Sequence, residues 1–468
     1  MIADLKPYSA MKDSGVEWLG QVPEHWEVLP NRALFSEVKD QNYPDEPMLS
    51  VTISRGVIRQ TDLLSESSKK DSSNLDKSKY KFVQIGDIAY NKMRAWQGAI
   101  GESKNSGIIS PAYIVQRPRE AVFSSYIHYL FRIPSFAKEA ERWSYGITSD
   151  MWSLRPEHFK LIYSCKPPLP EQTAIVRFLD HVDRRIRRYI RAKQKLIKLL
   201  EEQKQAIIHQ AVTGQIDVRT GKPYPAYKPS GVEWLGEVPK HWEVKKLRFL
   251  FRYEKGRRAA ELTNEYIGHH LGSFPVYSGQ TESSGLMGMI DWYEFDFDGP
   301  VVFVTTVGAR AMSTRLVTGR FSLSQNCALI IPRSTEANTA YFEPVLKRVF
   351  DYEKASISLI MQPSLRFGDL NRFYVPVPPL PEQSAIAHFL EEAFCSIALA
   401  TETAQKEIAL LREYRTRLIA DVVTGKLDVR EAAANLPEET ESQDDALEEY
   451  DIENDGDDLD AESESEYD

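Results

Sequence analysis

Three cysteines in 468 residues are too few to staple a fold. Cys165, Cys327 and Cys395 are odd in number and widely separated, and they include no C-x-x-C pair. A disulfide framework and a structural zinc site are therefore not expected, and free thiols in a reducing compartment are. No run reaches the roughly 18 apolar residues of a membrane helix, and Met1-Ile-Ala-Asp-Leu-Lys6 lacks the apolar core of a signal peptide. A cytoplasmic location away from any membrane is the expectation. Catalytic signatures are missing too. No G-x-x-x-x-G-K-(S/T) phosphate loop, no glycine-rich cofactor loop after a strand and no Asn-Pro-Pro-Tyr or Asp-Pro-Pro-Tyr motif occurs. Thr220-Gly221-Lys222-Pro223 and Thr424-Gly425-Lys426-Leu427 lack the upstream glycine and the following Ser or Thr, so they read as helix stops.

Charge is unevenly spread along the chain. Residues 431–468 hold 18 Asp or Glu and no Lys or Arg, so the net charge of −10 hides a balance of +8 over residues 1–430. The acidic segment has too few apolar groups to offset the entropy of ordering and is expected to be a disordered tail. The rest is mildly basic, which is compatible with a polyanion partner.

What the chain does have is a long repeat. Ser14-Gly-Val-Glu-Trp-Leu-Gly-Gln-Val-Pro-Glu-His-Trp-Glu-Val28 returns as Ser230-Gly-Val-Glu-Trp-Leu-Gly-Glu-Val-Pro-Lys-His-Trp-Glu-Val244, with 13 of 15 positions identical at an offset of 216. Pro167-Pro-Leu-Pro-Glu-Gln-Thr-Ala-Ile175 and Val212-Thr-Gly-Gln-Ile-Asp-Val-Arg219 return at an offset of 211, from Pro378 and Val423. Residues 29–166 and 245–377 show almost no resemblance. A period near 210 is far beyond the 20–50 residues of solenoid units. It implies two whole domains on a duplicated frame with different contents, as suits a reader of two unlike half-sites. His25 and His241, beside Trp26 and Trp242 in both copies, fit a packed corner better than a catalytic base.

Each Pro-rich block leads into a helix. Pro170 and Pro381 suit a first helical position, and Glu171 and Glu382 suit the positive end of the helix dipole. From Ile175 and from Ile386, apolar residues recur in 4-3 steps without Gly or Pro until Gly214 and Gly425. Two helices of about 40 residues, each near 60 Å, are predicted to pair as an antiparallel coiled coil. The expected pairing residues are Ile175, Leu179, Ile186, Leu196, Leu200 and Ile207 on the first helix, and Ile386, Leu390, Ile397, Leu411 and Leu418 on the second. The first helix also carries Arg184, Arg185, Arg187, Arg188, Arg191, Lys193, Lys195 and Lys198, whereas the matching stretch Phe394–Ala409 has only Lys406. That run is open to three readings: a solvated face, a phosphate contact, or a contact with an acidic partner.

The variable regions read as mixed α/β globules. Short β-like runs cover 48–53, 80–85 and 108–115 in the first, with turns at Gly56, Gly86-Asp87 and Gly98. The second has 274–277, 301–306 and 327–331, with turns at Gly279, Gly299 and Gly308. Helical stretches follow near 124–144 and 339–355. The fold class is mixed α+β, a pseudo-two-fold internal repeat with two globular α/β domains separated by two long antiparallel helices. The expected boundaries are 1–166 and 222–377 for the globules, 167–221 and 378–430 for the helices with the first linker, and 431–468 for the tail.

This pattern resembles the specificity subunit of Type I restriction-modification enzymes. The resemblance rests on the repeated Trp-Leu-Gly-x-Val-Pro-x-His-Trp opening, the Pro-Pro-Leu-Pro-Glu-Gln helices ending in Thr-Gly-x-(Leu/Ile)-Asp-Val-Arg, and Gly86-Asp87-Ile-Ala-Tyr-Asn91-Lys-Met-Arg-Ala-Trp-Gln-Gly98. It covers about residues 6–430. It implies a non-catalytic subunit whose two target-recognition domains each read half of a bipartite, asymmetric duplex DNA sequence. The paired helices would hold those domains apart and dock two methyltransferase subunits, and restriction subunits would join the complex. S-adenosylmethionine, ATP and Mg are then expected on those partners, and no cofactor or metal on this chain. A self-contained methylase lacks its motifs here, and a DNA-mimicking inhibitor is at odds with the basic folded part.

Base reading needs side chains that reach groove edges, and phosphate contact needs positive charge. The first region offers Asn91, Lys92, Arg94, Trp96 and Gln97 within seven residues, with Arg55, Lys69, Lys70 and Tyr145-Gly-Ile-Thr148 as second choices. The second region offers Lys255, Arg257, Arg258, Ser278, Gln280, Thr305, Thr306, Arg310, Gln325 and Asn326.

Overall fold

The computed structural model describes residues 5–64, 77–146, 152–279, 285–308, 310–355 and 364–437. Two long helices run through it, α1 (Leu169–Thr213, 45 residues) and α2 (Leu380–Val423, 44 residues). Each is about 66 Å long at 1.5 Å per residue. The chain divides into two compact units that cut both helices: Met1–Gln194 with Gln405–Asp468, and Lys195–Ala404. The first unit therefore holds the start of α1 and the end of α2, and the second unit holds the other halves.

Within each unit the two half-helices pair antiparallel. In the first, Arg415 bonds Asp183 and the Lys193 ammonium lies 2.5 Å from the Glu407 carboxylate, so higher numbers on α1 meet lower ones on α2. Ile175, Leu179 and Ile186 are buried with Leu418, and Leu411 packs against them. In the second, Lys204 lies over the Phe394 ring, and Ile208 and Val212 share a core with Ile386 and Leu390, with Ile207 at its edge. Leu200 and Ile397 are half-buried. Leu196 departs from expectation, being 39% exposed. A pair of helices buries only a narrow strip of each, and a 3.6-residue turn drifts out of a strict 4-3 register along a rod this long.

The repeated frame explains itself in hydrogen bonds. In the first unit Glu171 collects the Tyr8 hydroxyl, His25 Nε2 at 2.8 Å and the Trp26 indole N–H at 3.1 Å. In the second, Glu382 collects the Tyr224 hydroxyl at 3.1 Å, His241 at 2.9 Å and Trp242 at 2.9 Å, with Arg219 at 3.3 Å. Burial alone would raise the Glu382 pKa. The hydrogen bonds from Trp242, His241 and Tyr224 outweigh it and hold the carboxyl below the usual range. The next residue is equally fixed. Gln172 accepts from the Phe123 N–H (2.8 Å) and donates to Pro167 O (2.8 Å); Gln383 does the same with Asn338 (2.9 Å) and Pro378 (2.9 Å). Both frame histidines thus take the structural role that their repetition suggests.

Each helix stops at a glycine in the left-handed region, φ +73° at Gly214 and +76° at Gly425. A Cβ at Gly214 would stand 2.5 Å from the Pro239 ring and 3.0 Å from Trp242, and one at Gly425 would stand 2.3 Å from Pro23 and 3.0 Å from Trp26. Conformation and close approach both demand glycine. The Thr-Gly segment at the end of α2 thus closes the unit built on Trp26, and the one ending α1 closes the unit built on Trp242.

The variable regions share a topology that their sequences hide. In the first unit β1 (Phe35–Val38), β2 (Ile88–Asn91), β3 (Ile100–Glu102) and β4 (Tyr113–Pro118) form a sheet in the order β1-β4-β2-β3. In the second, β5 (Phe251–Glu254), β6 (Leu271–Tyr277), β7 (Leu286–Ile290), β8 (Phe295–Thr305), β9 (Thr314–Leu323) and β10 (Cys327–Pro332) form the order β5-β10-β8-β9-β6-β7. The first four of that series repeat the smaller sheet, and β6 and β7 extend it. Helices Ser124–Phe131 and Pro134–Arg142, and Thr339–Ala355 in the other unit, cover one face.

Three local expectations are corrected. Residues 108–115 are two strands, because Pro111 sits in the turn between Gly107–Ile109 and β4. Gly299 is no turn: β8 continues through it, with a register shift between Phe297 and Val301 absorbing the irregularity. The acidic segment does not leave the fold at 431. Arg430–Ala434 forms α3, with Ala433 and Leu436 buried, because these are the last apolar residues before the acidic run. The tail from 438 onward lies outside the described residues.

Candidate nucleic-acid interface

In the first unit the chain leaves β2 at Asn91 and turns through Lys92–Gln97. Asn91 Oδ1 accepts the Met93 N–H at 3.0 Å, and the Arg94 guanidinium donates to Gln97 Oε1 at 3.1 Å. Trp96 donates to Met93 O and meets Trp152 edge-on at 5.5 Å. Arg55 lies in the neighbouring loop, its N–H held by Thr52 Oγ1 at 3.1 Å. Arg132 locks the two loops together by donating to the carbonyls of Ile53 (2.9 Å), Ser54, Gly98 (3.3 Å) and Ile100 (3.0 Å). All six candidates are half-buried, so they stand on a rigid platform. Tyr145 bridges Ser153 beside it, while Lys69, Lys70 and Thr148 fall outside the described residues.

Asp87 in the same motif has another task. It is 2% exposed, takes a two-pronged ion pair from Arg117 at 2.8 and 2.9 Å, and accepts the Gln84 N–H. Behind the loops, His128 accepts the Glu102 N–H at 3.2 Å against Gly56 and Gly101. Burial, followed by the positive charge of Arg132, pulls its pKa down to about 3, so it is a neutral acceptor near pH 7.

In the second unit the corresponding strand β8 leads into 305–313. Here the predicted residues separate by role. Ser278, Thr305 and Thr306 are buried and shape the loops: Thr305 Oγ1 donates to Arg310 O at 2.6 Å, and the Thr306 N–H donates to Asn326 O at 2.7 Å. Arg310, Gln325 and Asn326 are exposed on those loops, Asn326 with φ +64°. Arg258 is drawn aside into a cluster with Glu261 (2.7 Å), the Tyr266 hydroxyl (3.1 Å) and the Trp292 ring (4.3 Å). Arg257 is exposed, with its N–H on Glu294, Lys255 is exposed nearby, and Gln280 lies outside the described residues.

Two guanidinium groups escaped sequence reasoning. Arg132 sits at a helix end with no motif around it. Arg315 lies between the Tyr277 and Phe303 rings, 4.6 and 4.4 Å from their centroids, with Nε and Nη2 buried and without a hydrogen-bond partner. Burial lowers its pKa from the ordinary value. Only the alternation of β9 could have hinted at its place.

One contact relates the two sites. The Leu154 N–H donates to Lys92 O at 2.8 Å, and the Leu365 N–H donates to Thr306 O at 2.8 Å. Asn91-Lys92 and Thr305-Thr306 thus occupy the same point of the shared topology and differ in side chain. The two units thus carry unlike loops at equivalent positions of a duplicated frame.

Comparison with known proteins agrees. Residues 239–410 match the Type I restriction modification DNA specificity domain. A putative type I specificity subunit of Mycoplasma pneumoniae is 32% identical over 162 residues, 34% of this chain and 43% of its own length. The chain thus spans less than half of that relative, and 47% of a second from the same organism that is 30% identical. The MjaIX specificity subunit of Methanocaldococcus jannaschii is 22% identical over 72% of this chain and 77% of its own length. Among solved structures, a chain from a study of type I R-M complex assembly and conformational transition superposes with TM-score 0.66 at 15% identity, over 87% of this chain and 99% of that one. The HsdS subunit of Thermoanaerobacter tengcongensis gives 0.50 at 16% identity, over 87% and 98%. Residues 239–410 thus resemble the Type I DNA specificity domain, and the fold as a whole is shared with the solved specificity-subunit structures.

Proposed function

We propose that this chain reads a bipartite, asymmetric duplex DNA target, one half-site through Arg55 and Asn91–Gln97 and the other through Lys255, Arg257, Arg310, Gln325 and Asn326. The observation that carries this reading is the equivalence of the Lys92 and Thr306 turns. One scaffold point bears an amide and an ammonium in one unit, and hydroxyls backed by exposed Arg310 and Asn326 in the other. Half-buried, mutually bonded side chains such as Arg94 and Gln97 are pre-organised for groove edges.

The chain carries no chemistry of its own in this reading. It docks two methyltransferase subunits, which bring S-adenosylmethionine, and restriction subunits, which bring ATP and Mg. The long helices offer the apolar surface for docking: Leu196, Leu199 and Leu399 in the second unit and Tyr189, Leu410 and Tyr414 in the first are 39–66% exposed. Among the described residues no helix is long and apolar enough to cross a membrane. The test is an exchange of residues 29–166 for those of another specificity subunit, followed by mapping of methylated adenines. One half of the target should change and the other should stay; a change in both halves refutes the two-reader assignment.

A further inference from the structure

We propose that Arg315 clamps a backbone phosphate of DNA at the second half-site, its Nε and Nη2 edge meeting two phosphate oxygens. The clamp rests on the DNA reading proposed above and adds a contact to it. Arg315 faces Phe303 across the β8–β9 ladder, and Phe303 faces Leu329 on β10. Facing residues share one side of a sheet. Here it is the side whose core holds Phe295, Phe303, Phe321 and Leu329, away from the helix Thr339–Ala355. The next row toward the strand ends is Thr305 with Cys327. Beyond that row Gly279 backs onto Asn326, so that a Cβ there would stand 3.5 Å from Asn326 O and 4.0 Å from Thr305. Arg315 therefore lies one row beneath the loops that expose Arg310, Gln325 and Asn326.

The fold leaves these donors unspent. Nε and Nη2 are buried, yet among the described residues neither has a hydrogen-bond partner. Besides burial, the groups that act on the guanidinium are Tyr277 and Cys327, and no carboxylate is among them. The side chain stays charged, because a guanidinium keeps its proton in proteins. Unpaired charged donors are costly to bury, and the Tyr277 and Phe303 rings at 4.6 and 4.4 Å offset only part of that cost. Arg132 in the first unit shows the other solution, with its donors on four loop carbonyls. Arg315 is instead held flat with an open fork, the geometry that takes a phosphate through two parallel bonds. A second cation stands close by. Burial holds the Cys327 thiol up at about 11, and Arg315 and Lys255 both act against that rise, so both lie near one Sγ. Depth favours phosphate over base. Base edges lie on the floor of a groove about 8.5 Å deep and are met by projecting side chains, whereas phosphates stand on ridges that fit a recess. Because Nε and Nη2 are buried in the free chain, the loops above them part as the DNA seats.

The test uses the full chain, alone and with its methyltransferase subunits, and two fluorescent duplexes, one carrying the target mapped from methylated adenines and one of random sequence. Arg315→Met keeps the stem between the rings and removes the donors. Its urea midpoint should be unchanged or higher, since buried donors without partners are gone. Its affinity should nevertheless fall about tenfold on both duplexes alike. The dependence of log Kd on log salt, read from 50 to 300 mM NaCl, should become shallower by about one. Arg315→Lys should keep the salt dependence and recover only part of the affinity, because an ammonium supplies the charge without the fork. A lowered midpoint in Arg315→Met would mark a structural arginine and overturn the clamp, and so would a loss confined to the mapped target, which would make Arg315 a base reader. Failure of the unaltered chain to bind either duplex, in both states, refutes the DNA reading itself; binding by the unaltered chain that Arg315→Met leaves intact refutes the clamp alone.

Discussion

Replacing Gly214 by alanine tests whether the frame is held by close approach or by backbone conformation alone. Gly221, in the same compact unit, supplies the control. Both have left-handed φ, +73° and +68°. A Cβ at Gly221 meets nothing within 4 Å, whereas one at Gly214 stands 2.5 and 2.6 Å from the Pro239 ring and 3.0 Å from Trp242. Left-handed alanine costs about 1–2 kcal/mol, of which roughly 0.4–1 kcal/mol is returned by the smaller entropy of the unfolded chain. Gly221→Ala should therefore destabilise by about 1 kcal/mol or less. Gly214→Ala adds an overpacking term of about 1–3 kcal/mol, since neither the proline ring nor the buried indole can swing aside. The expected gap is about 2 kcal/mol. Urea unfolding of the two variants side by side, followed by circular dichroism, reads it as a shift of midpoint at constant slope. A gap under 0.5 kcal/mol would mean that Pro239 does not pack on the helix end, and the frame as described would be wrong.

Arg94→Ala and Gln97→Ala should each relax reading at one position of the first half-site by about 1–3 kcal/mol, whereas Lys92→Ala, if it meets phosphate, should weaken all sequences alike and lower the salt slope by about one; equal losses on cognate and random DNA for the first pair would demote them to structural roles. Asp87→Asn leaves Arg117 without its carboxylate and should destabilise the first unit by about 2 kcal/mol, discounted because the arginine is 35% exposed; an unchanged melting profile would contradict it. His128 titrates in the folded state near pH 3 and in the unfolded chain near 6.5. The unfolded state binds the extra proton between those values, so stability falls as pH drops below about 6.5, by at most ~1.4 kcal/mol per pH unit, until about 3. His128→Gln should flatten that part of the curve, and an unaltered slope would refute the assignment. Adding one heptad to both long helices should lengthen the spacer between half-sites while both sequences read stay the same; an unchanged spacer in an active variant would show that the helices do not set it.

Much was legible in the residues because it is written in repetition and periodicity. The offset of 211 between the two Pro-Glu-Gln helices, their freedom from Gly and Pro, and the Thr-Gly stops fixed α1 and α2 to within a few residues, since local sterics and capping decide where a helix starts and ends. The turn at Asn91–Gln97 stood out because amide, guanidinium and indole crowd seven positions. The variable regions were another matter. That β1-β4-β2-β3 and β5-β10-β8-β9 are one topology, and that Lys92 and Thr306 occupy one point in it, follows from pairings between strands tens of residues apart.

The sequence alone thus determined the duplicated frame, the rods and the absence of catalytic signatures, all properties of short-range pattern. Tertiary structure decided which polar residues face outward. Thr305 and Thr306 read the same as Gln325 and Asn326 along the chain, yet the first pair is buried in loop-shaping bonds and the second is exposed. It also decided that the Thr-Gly segment of each helix closes the unit of the other copy, that Glu171 and Glu382 serve as hubs, and that Arg132 and Arg315 matter at all. Hydrogen-bond satisfaction and burial are settled by neighbours distant in sequence, and no local pattern encodes them.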